Sequence, residues 1–277
     1  MDLAAYYDRM HAYTLRDSGF EQHSGFRHDA IHRFLADPGS GDFSPDTIYR
    51  LMAPFLPARA DFLGLDAGCG YGATGFRLLE QTGGRWDGIT LSAAQVAVAR
   101  ERAAERGLSG RLHFALRSYD APLAERYDAI VAIESIAHSP DPVATVANLA
   151  RHLRPGGVLI VVDDMPRPDL APAEAEMLLA FKRLWHCPVL PGAAEWRGML
   201  AAQGLALRHE ADLLPLTRPR EEAMLDTAWA ELESSLPARK AEGFGAVAEG
   251  EMGGVLLERL MRWGAMRYVM MVAERGG

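Results

Sequence analysis

Two short stretches of the chain combine reactive side chains with backbone room, and together they define the chemistry on offer. The first is Leu63-Gly-Leu-Asp66-Ala-Gly68-Cys-Gly70-Tyr-Gly72. An apolar run ends in an acid, and glycines then let backbone approach a ligand closely. Gly68-Cys-Gly70-Tyr-Gly72-Ala73 satisfies the loose dinucleotide pattern, which by itself is weak. That reading also wants an acid at the end of the second strand. There the chain has Ile89-Thr90-Leu91-Ser92, with Asp87 too early. The second stretch is Ala132-Ile-Glu134-Ser-Ile-Ala-His138-Ser-Pro-Asp141. On a helical turn Glu134 and His138 would share one face. The carboxylate could take a proton or steady a cation, and the imidazole could deprotonate a hydroxyl. The rival readings are that Glu134 only hydrogen-bonds nearby backbone and that His138 caps the next helix.

Hydrophobic patterning supplies the scaffold. From Asp61 onward short apolar runs alternate with longer amphipathic segments, the pattern of βαβ units and a parallel sheet. Strands are expected at 62–65, 85–90, 112–116, 127–133 and 158–162, the last fully apolar as in a sheet covered on both faces. Helices are expected at 73–81, at 92–107 and from Asp141-Pro142 to Arg151. Ser92 with Gln95 has the spacing of a capping box, and Gly107 suits a C-terminal cap. Past Asp163 the pattern gives a proline-marked loop, helices at 174–184 and 193–203, and a strand at 205–213. Helices between 217 and 263 and a last strand at 268–273 complete it. The first fifty residues read as helices broken at Asp37-Pro38-Gly39-Ser40-Gly41 and at Ser44-Pro45, where a helix would start. The expected organisation is an N-terminal helical segment, 1–60, contributing to a cap, then a ligand-binding core, 61–163. Residues 164–277 hold the remaining strands and helical cap insertions.

Composition excludes several partners. Hydrophobic residues make up 49% and charged residues 24% of 277, a globular balance with enough apolar material for a large core. A net charge of −8 argues against a protein that works by neutralising nucleic-acid phosphates. Cys69 and Cys187 have neither CxxC nor metal-ligand spacing, so a zinc site or disulfide framework is not expected and a cytoplasmic location is. The N-terminal residues lack the basic and apolar regions of an export signal, and no apolar run approaches membrane-spanning length. A small-molecule partner is therefore expected, without nucleic acid or membrane; a homo-oligomer is compatible with this. One local exception is the cationic stretch His11, Arg16, His23, Arg27, His28, His32 and Arg33. It could bind an anionic head such as a diphosphate, or form a solvated helix face.

On these residues the chain resembles the class I S-adenosylmethionine-dependent methyltransferases. Asp66-Ala-Gly-Cys-Gly has the form of their first motif. Gly88-Ile-Thr-Leu-Ser-Ala-Ala-Gln95 resembles the second-strand motif of a small-molecule subgroup, and Leu153-Arg-Pro-Gly-Gly-Val158 the turn before strand five. The resemblance implies a Rossmann-like α/β fold, a mostly parallel seven-stranded sheet flanked by helices with a helical cap. It implies S-adenosyl-L-methionine as cofactor; no metal-ligating residues are assigned. Asp66, Gly68 and Gly70 would then serve the amino acid portion, and Thr90, Leu91, Ser92 and Gln95 the ribose. Ser118 and Tyr119 would meet the adenine, where the family often has an acid in place of Ser118, and Ile133 would also face the cofactor.

Two subgroups divide the acceptor reading. In natural-product sugar O-methyltransferases a loop histidine and an acid after strand five form the base, roles that would fall to His138 and Asp163. In geranyl diphosphate C-methyltransferases a strand-four glutamate removes the proton after an alkene has attacked the methyl, and Glu134-Ser135 resembles that site. The latter likeness extends to Trp185-His-Cys, Glu195-Trp196 and Tyr268-Val-Met-Met-Val-Ala. Phe181, Trp185, Trp196, Trp229, Phe244 and Trp263 could steady a carbocation, though for any single one of them core packing is the stronger reading. The expected substrate contacts are His23, Arg27 and His28 for a diphosphate and Trp185 and Trp196 for the chain. The sequence thus favours carbon methylation of an isoprenyl substrate, with O-methylation of a hydroxylated natural product as the alternative. A nucleotide-dependent dehydrogenase or a non-catalytic binder is the outside reading.

Overall fold

The computed structural model describes residues 2–16 and 30–277. Its centre is a seven-stranded sheet in the order β5-β4-β3-β6-β7-β9-β8. These strands are β3 (Leu63–Ala67), β4 (Arg85–Thr90), β5 (Leu112–Leu116), β6 (Tyr127–Ile133), β7 (Leu153–Pro166), β8 (Leu205–Asp212) and β9 (Met266–Arg275). The first five are mutually parallel, while β9 runs antiparallel to both β7 and β8. The order reverses between β3 and β6, which opens a crevice beyond their carboxyl ends, where ligands bind in open α/β sheets.

Period-two alternation divides the apolar side chains between two layers. Val131, Ile133, Ile160 and Val162 join Trp86, Phe62 and Tyr268 on one face. Ile130, Ala132, Leu159 and Val161 join Leu65, Trp196 and Leu200 on the other. Every residue of β6 is buried because both faces are covered, which is why residues 129–133 read as an unbroken apolar run after the buried Asp128. The helices are α1 (Leu3–Arg16), α2 (Thr47–Met52), α3 (Ala73–Thr82), α4 (Ala93–Glu105) and α5 (Pro142–Arg151), then α6 (Pro172–Leu184), α7 (Ala193–Ala202), α8 (Glu222–Ala241) and α9 (Gly245–Arg262). Among the described residues no helix is long and apolar enough to cross a membrane.

The N-terminal expectation needs correction. The Asp37–Gly41 break is the turn of a small hairpin, in which Leu35–Ala36 (β1) pairs antiparallel with Phe43–Ser44 (β2). The Asp37 carboxylate accepts the Gly39 and Ser40 amides at 2.9 and 3.1 Å and so closes the turn. Ser44 does not start a helix; its Oγ accepts the Asp46 amide at 3.1 Å, and α2 begins at Thr47.

Close packing sets β3 against β4. A Cβ on Gly64 would lie 2.5–2.7 Å from three atoms of the Trp86 indole, and Trp86 is held by an Nε1–H donated to Thr82 Oγ1 at 2.9 Å. Gly64→Ala should therefore displace the indole. Overpacking of this kind costs about 1–3 kcal/mol, and urea unfolding of the variant should show a loss in that range at an unchanged m-value.

Candidate active site

A cavity of about 290 Å³ opens over the carboxyl ends of β3, β4 and β6, its walls including Asp66, Thr90, Ile133 and His138. Its first half is built by the glycine turn. The amides of Gly68 and Cys69 both donate to the Ile89 carbonyl at 2.9 Å. Gly68 takes φ +96 and Gly72, which opens α3, φ +88, conformations that favour glycine. Gly70 also lines the cavity.

Beside this turn Asp66 is buried, and its Oδ2 has no hydrogen-bond partner among the described residues. Burial pushes its pKa up to about 7, against a lowering by the Thr74 hydroxyl. Across the cavity Thr90 donates Oγ1–H to Gln95 Oε1 at 2.7 Å, which leaves Gln95 Nε2 as an orphan donor. The capping box is thus only half formed: Ser92 accepts the Gln95 amide at 3.1 Å, but the Gln95 side chain turns to Thr90. Buried polar atoms without partners are costly. An orphan acceptor and an orphan donor facing one glycine-floored cavity suit a ligand with an ammonium group and hydroxyls.

The other predicted contacts separate. Leu91, Tyr119 and Ile133 line the cavity, and Tyr119 donates its hydroxyl to the Ser135 carbonyl at 3.0 Å. Ser92 and Ser118 are not in its wall. Ser92 donates to Asp8 of α1 at 2.5 Å, and Ser118 accepts the Asp120 amide at 3.0 Å.

At the second half of the cavity the expected helical turn is absent. Glu134 takes φ +49 and residues 136–138 form one 3-10 turn, because the Glu134 amide still follows the sheet and donates to Val162 O at 2.8 Å. Glu134 and His138 nevertheless both reach the cavity. Glu134 Oε1 accepts the Arg33 amide at 2.9 Å and the Tyr268 hydroxyl at 2.7 Å. His138 Nδ1 lies 3.3 Å from the His186 carbonyl, which can only accept, so Nε2 is the ring's acceptor for the Tyr7 hydroxyl at 2.8 Å. Burial pulls the His138 pKa down to about 4, opposed by the His186 carbonyl and the Glu134 charge, so the imidazole is neutral at pH 7.

Asp163 does not pair with His138. Its carboxylate accepts the Ala137 and Asp164 amides at 3.0 and 2.9 Å, and burial with the neighbouring Asp164 charge raises its pKa. Its work is to hold the 3-10 turn that carries the imidazole. Trp185 lines the cavity, but Trp196 is buried against the opposite face of the sheet and touches no part of the site. Phe181 lies in the core and Trp263 is exposed. His23, Arg27 and His28 lie outside the described residues.

Sequence reasoning missed the cavity's aromatic wall, Tyr6, Tyr7 and Tyr49. Leu3, Tyr6, Tyr7 and Met10 share one face of α1 and all line the cavity; their spacing of three and four was the available signal. Among the described residues no group of three or more His, Cys, Asp or Glu could hold a metal ion.

Residues 65–159 match a family model described as a methyltransferase domain. Methyltransferase GfsG of Streptomyces halstedii is 34% identical over 203 residues, 71% of this chain and 73% of that protein. O-methyltransferase cnsE of Penicillium expansum is 29% identical, over 79% of this chain and 74% of that one. Among solved structures, geranyl diphosphate C-methyltransferase from Streptomyces coelicolor superposes with a TM-score of 0.68. It covers 99% of this chain and 96% of its own at 19% identity, a likeness of fold alone.

The state of Asp66 makes a pH test available. A carboxyl that ionises near 7 when free must lose its proton to meet a ligand ammonium. Calorimetry with S-adenosylhomocysteine should therefore show proton release on binding near pH 6.5. Its affinity should fall as pH drops below 7, approaching tenfold per unit, and Asp66→Asn should remove that dependence along with most of the affinity.

Proposed function

Because the chain belongs to the class I S-adenosylmethionine-dependent methyltransferases, we propose that it methylates a hydroxyl group on a small, largely apolar natural product. The observation that carries this reading is His138: a neutral imidazole, buried in the cavity wall, with Nε2 as its accepting nitrogen. The similarity to O-methyltransferase cnsE supports the same choice of atom.

The preference for carbon drawn from the sequence gives way for two reasons. Glu134 Oε1 already accepts two hydrogen bonds beside the Arg33 guanidinium, so only Oε2 would be left to take the proton that closes a carbocation. Of the six cap aromatics named for cation stabilisation, only Trp185 lines the cavity.

Asp66, Thr90, Gln95 and Tyr119, with the glycine turn beneath them, would hold S-adenosylmethionine. When bound, the cofactor supplies an electrophilic methyl group on a sulfonium. The chain's own residues handle the acceptor. Leu3, Tyr6 and Met10 cover it and exclude water. A hydroxyl becomes strongly nucleophilic only as its proton leaves, and His138 Nε2 takes that proton once Tyr7 exchanges its hydrogen bond for one to the acceptor. Imidazolium is costly in so buried a site, and the nearby Glu134 charge offsets part of that cost.

Mass spectrometry after incubation with S-adenosylmethionine and a panel of hydroxylated macrolactones, phenols and geranyl diphosphate tests the reading. A hydroxyl compound should gain one methyl. His138→Ala should lower kcat by about 10²–10⁴-fold, while Glu134→Gln keeps most activity. At saturating cofactor kcat should not fall between pH 8 and 6, as an ordinary imidazole base would require, because His138 ionises at about 4. Methylated geranyl diphosphate, with Glu134→Gln inactive and His138→Ala active, would overturn the assignment.

A further inference from the structure

Hydroxyl methylation leaves Glu134 with no proton to move, yet the chain holds it at φ +49, a conformation that is costly for a long side chain. Its contacts point elsewhere. Oε1 receives the backbone amide of Arg33 at 2.9 Å and the Tyr268 hydroxyl at 2.7 Å. The Arg33 guanidinium makes a two-pronged contact with Asp164, at 3.1 and 3.2 Å, and lies 4.4 Å over the Tyr268 ring. Arg33 is thereby fastened at its backbone and at its side chain to the ends of β6, β7 and β9.

The two residues before it face the cavity. Ile31 is 37% exposed, and its Cδ1 would lie 2.9 Å from a Cβ on Gly70, so it rests directly on the glycine turn. His32 shares a 2.7 Å hydrogen bond with the Tyr49 hydroxyl, on the side of the cavity where Asp66 lies. An exposed isoleucine over a glycine turn is an apolar surface that a bound ligand would cover.

We propose that Glu134 is a positioning residue: it latches the strap 30–34 across the cofactor half of the cavity, and the retention of cofactor depends on that latch. The assignment rests on the reading of this cavity as the methyl donor's site. Removing the carboxylate orphans two donors and frees the strap that carries Ile31 and His32.

Calorimetry of the full chain with S-adenosylhomocysteine tests it, with hydrogen exchange of the Arg33 amide as the structural readout. Glu134→Ala should weaken binding about 10- to 100-fold, the loss expected for a hydrogen bond to a charged group, and should deprotect the Arg33 amide. Glu134→Gln keeps an oxygen that accepts both donors and should stay within about threefold of the parent. Ile31→Ala should weaken binding while the Arg33 amide stays protected. Parental affinity in Glu134→Ala, or a Glu134→Gln variant as weak as Glu134→Ala, overturns the latch. Should Glu134→Ala not fold, parental affinity in Ile31→Ala overturns it. The underlying reading fails differently, through absence of S-adenosylhomocysteine binding in the parent. A carbon-methylated product from a chain whose Glu134→Gln variant still binds S-adenosylhomocysteine would sink the hydroxyl reading and leave the latch intact.

Discussion

Ser135 packs so closely on Gly68 that a Cβ there would lie 2.4 Å from its own Cβ. The Ser135 hydroxyl donates to the Ala67 carbonyl at 2.6 Å, while the Gly68 and Cys69 amides both reach the Ile89 carbonyl. These few bonds join the ends of β6, β3 and β4, three neighbouring strands. The positions of the groups that these three strands carry to the cavity follow from that join. Asp66 and the glycine floor come from β3, Thr90 to Gln95 from β4, and Glu134 to His138 from β6. A site carried by strand ends that are themselves hydrogen-bonded needs little reorganisation when a ligand arrives.

The roof is fastened by polar pins as well as by the ring contacts of Tyr6 with His186 and Tyr13 with Phe244. Asp8 of α1 meets Ser92, Tyr7 meets His138, and His11 meets Tyr71 at 2.9 Å. Each pin ends on a different loop of the site, so α1 registers against the glycine turn and the His138 turn at once. The apolar face of α1 remains for the cavity. The strap after it follows the same logic, with charge at Arg33 and an apolar side chain at Ile31.

Much of this architecture was legible because alternation and helical spacing are local signals. The strands at 85–90, 112–116 and 127–133 occur where patterning puts them. The first core strand runs to Ala67 rather than Leu65 because Asp66, an acid that reads as a break, is buried within it. The fifth extends over Leu153–Pro166, since Leu153 already pairs with Tyr127 of β6, and residues 154–157 bulge out of register before Val158 rejoins β6 and meets β9. The hairpin at 35–44 was not legible, as its two-residue strands are too short to alternate. Site details decided by tertiary competition were hidden as well. Asp163 has two backbone amides within reach and no imidazole, a choice no spacing records. Trp196 lies on a helix whose inward face meets the far side of the sheet, and one tryptophan cannot tell which side that is. The roles of Tyr7 and Arg33 depend on partners more than a hundred residues away in the chain.

The central claim is that the cavity brings an electrophilic methyl and an acceptor hydroxyl together beside His138. Its most direct test is transfer from S-adenosylmethionine labelled with ¹³C at the methyl, followed by ¹³C NMR of the product. The account predicts a single labelled methyl with the chemical shift and couplings of a methoxy group. A labelled methyl bonded to carbon would contradict it.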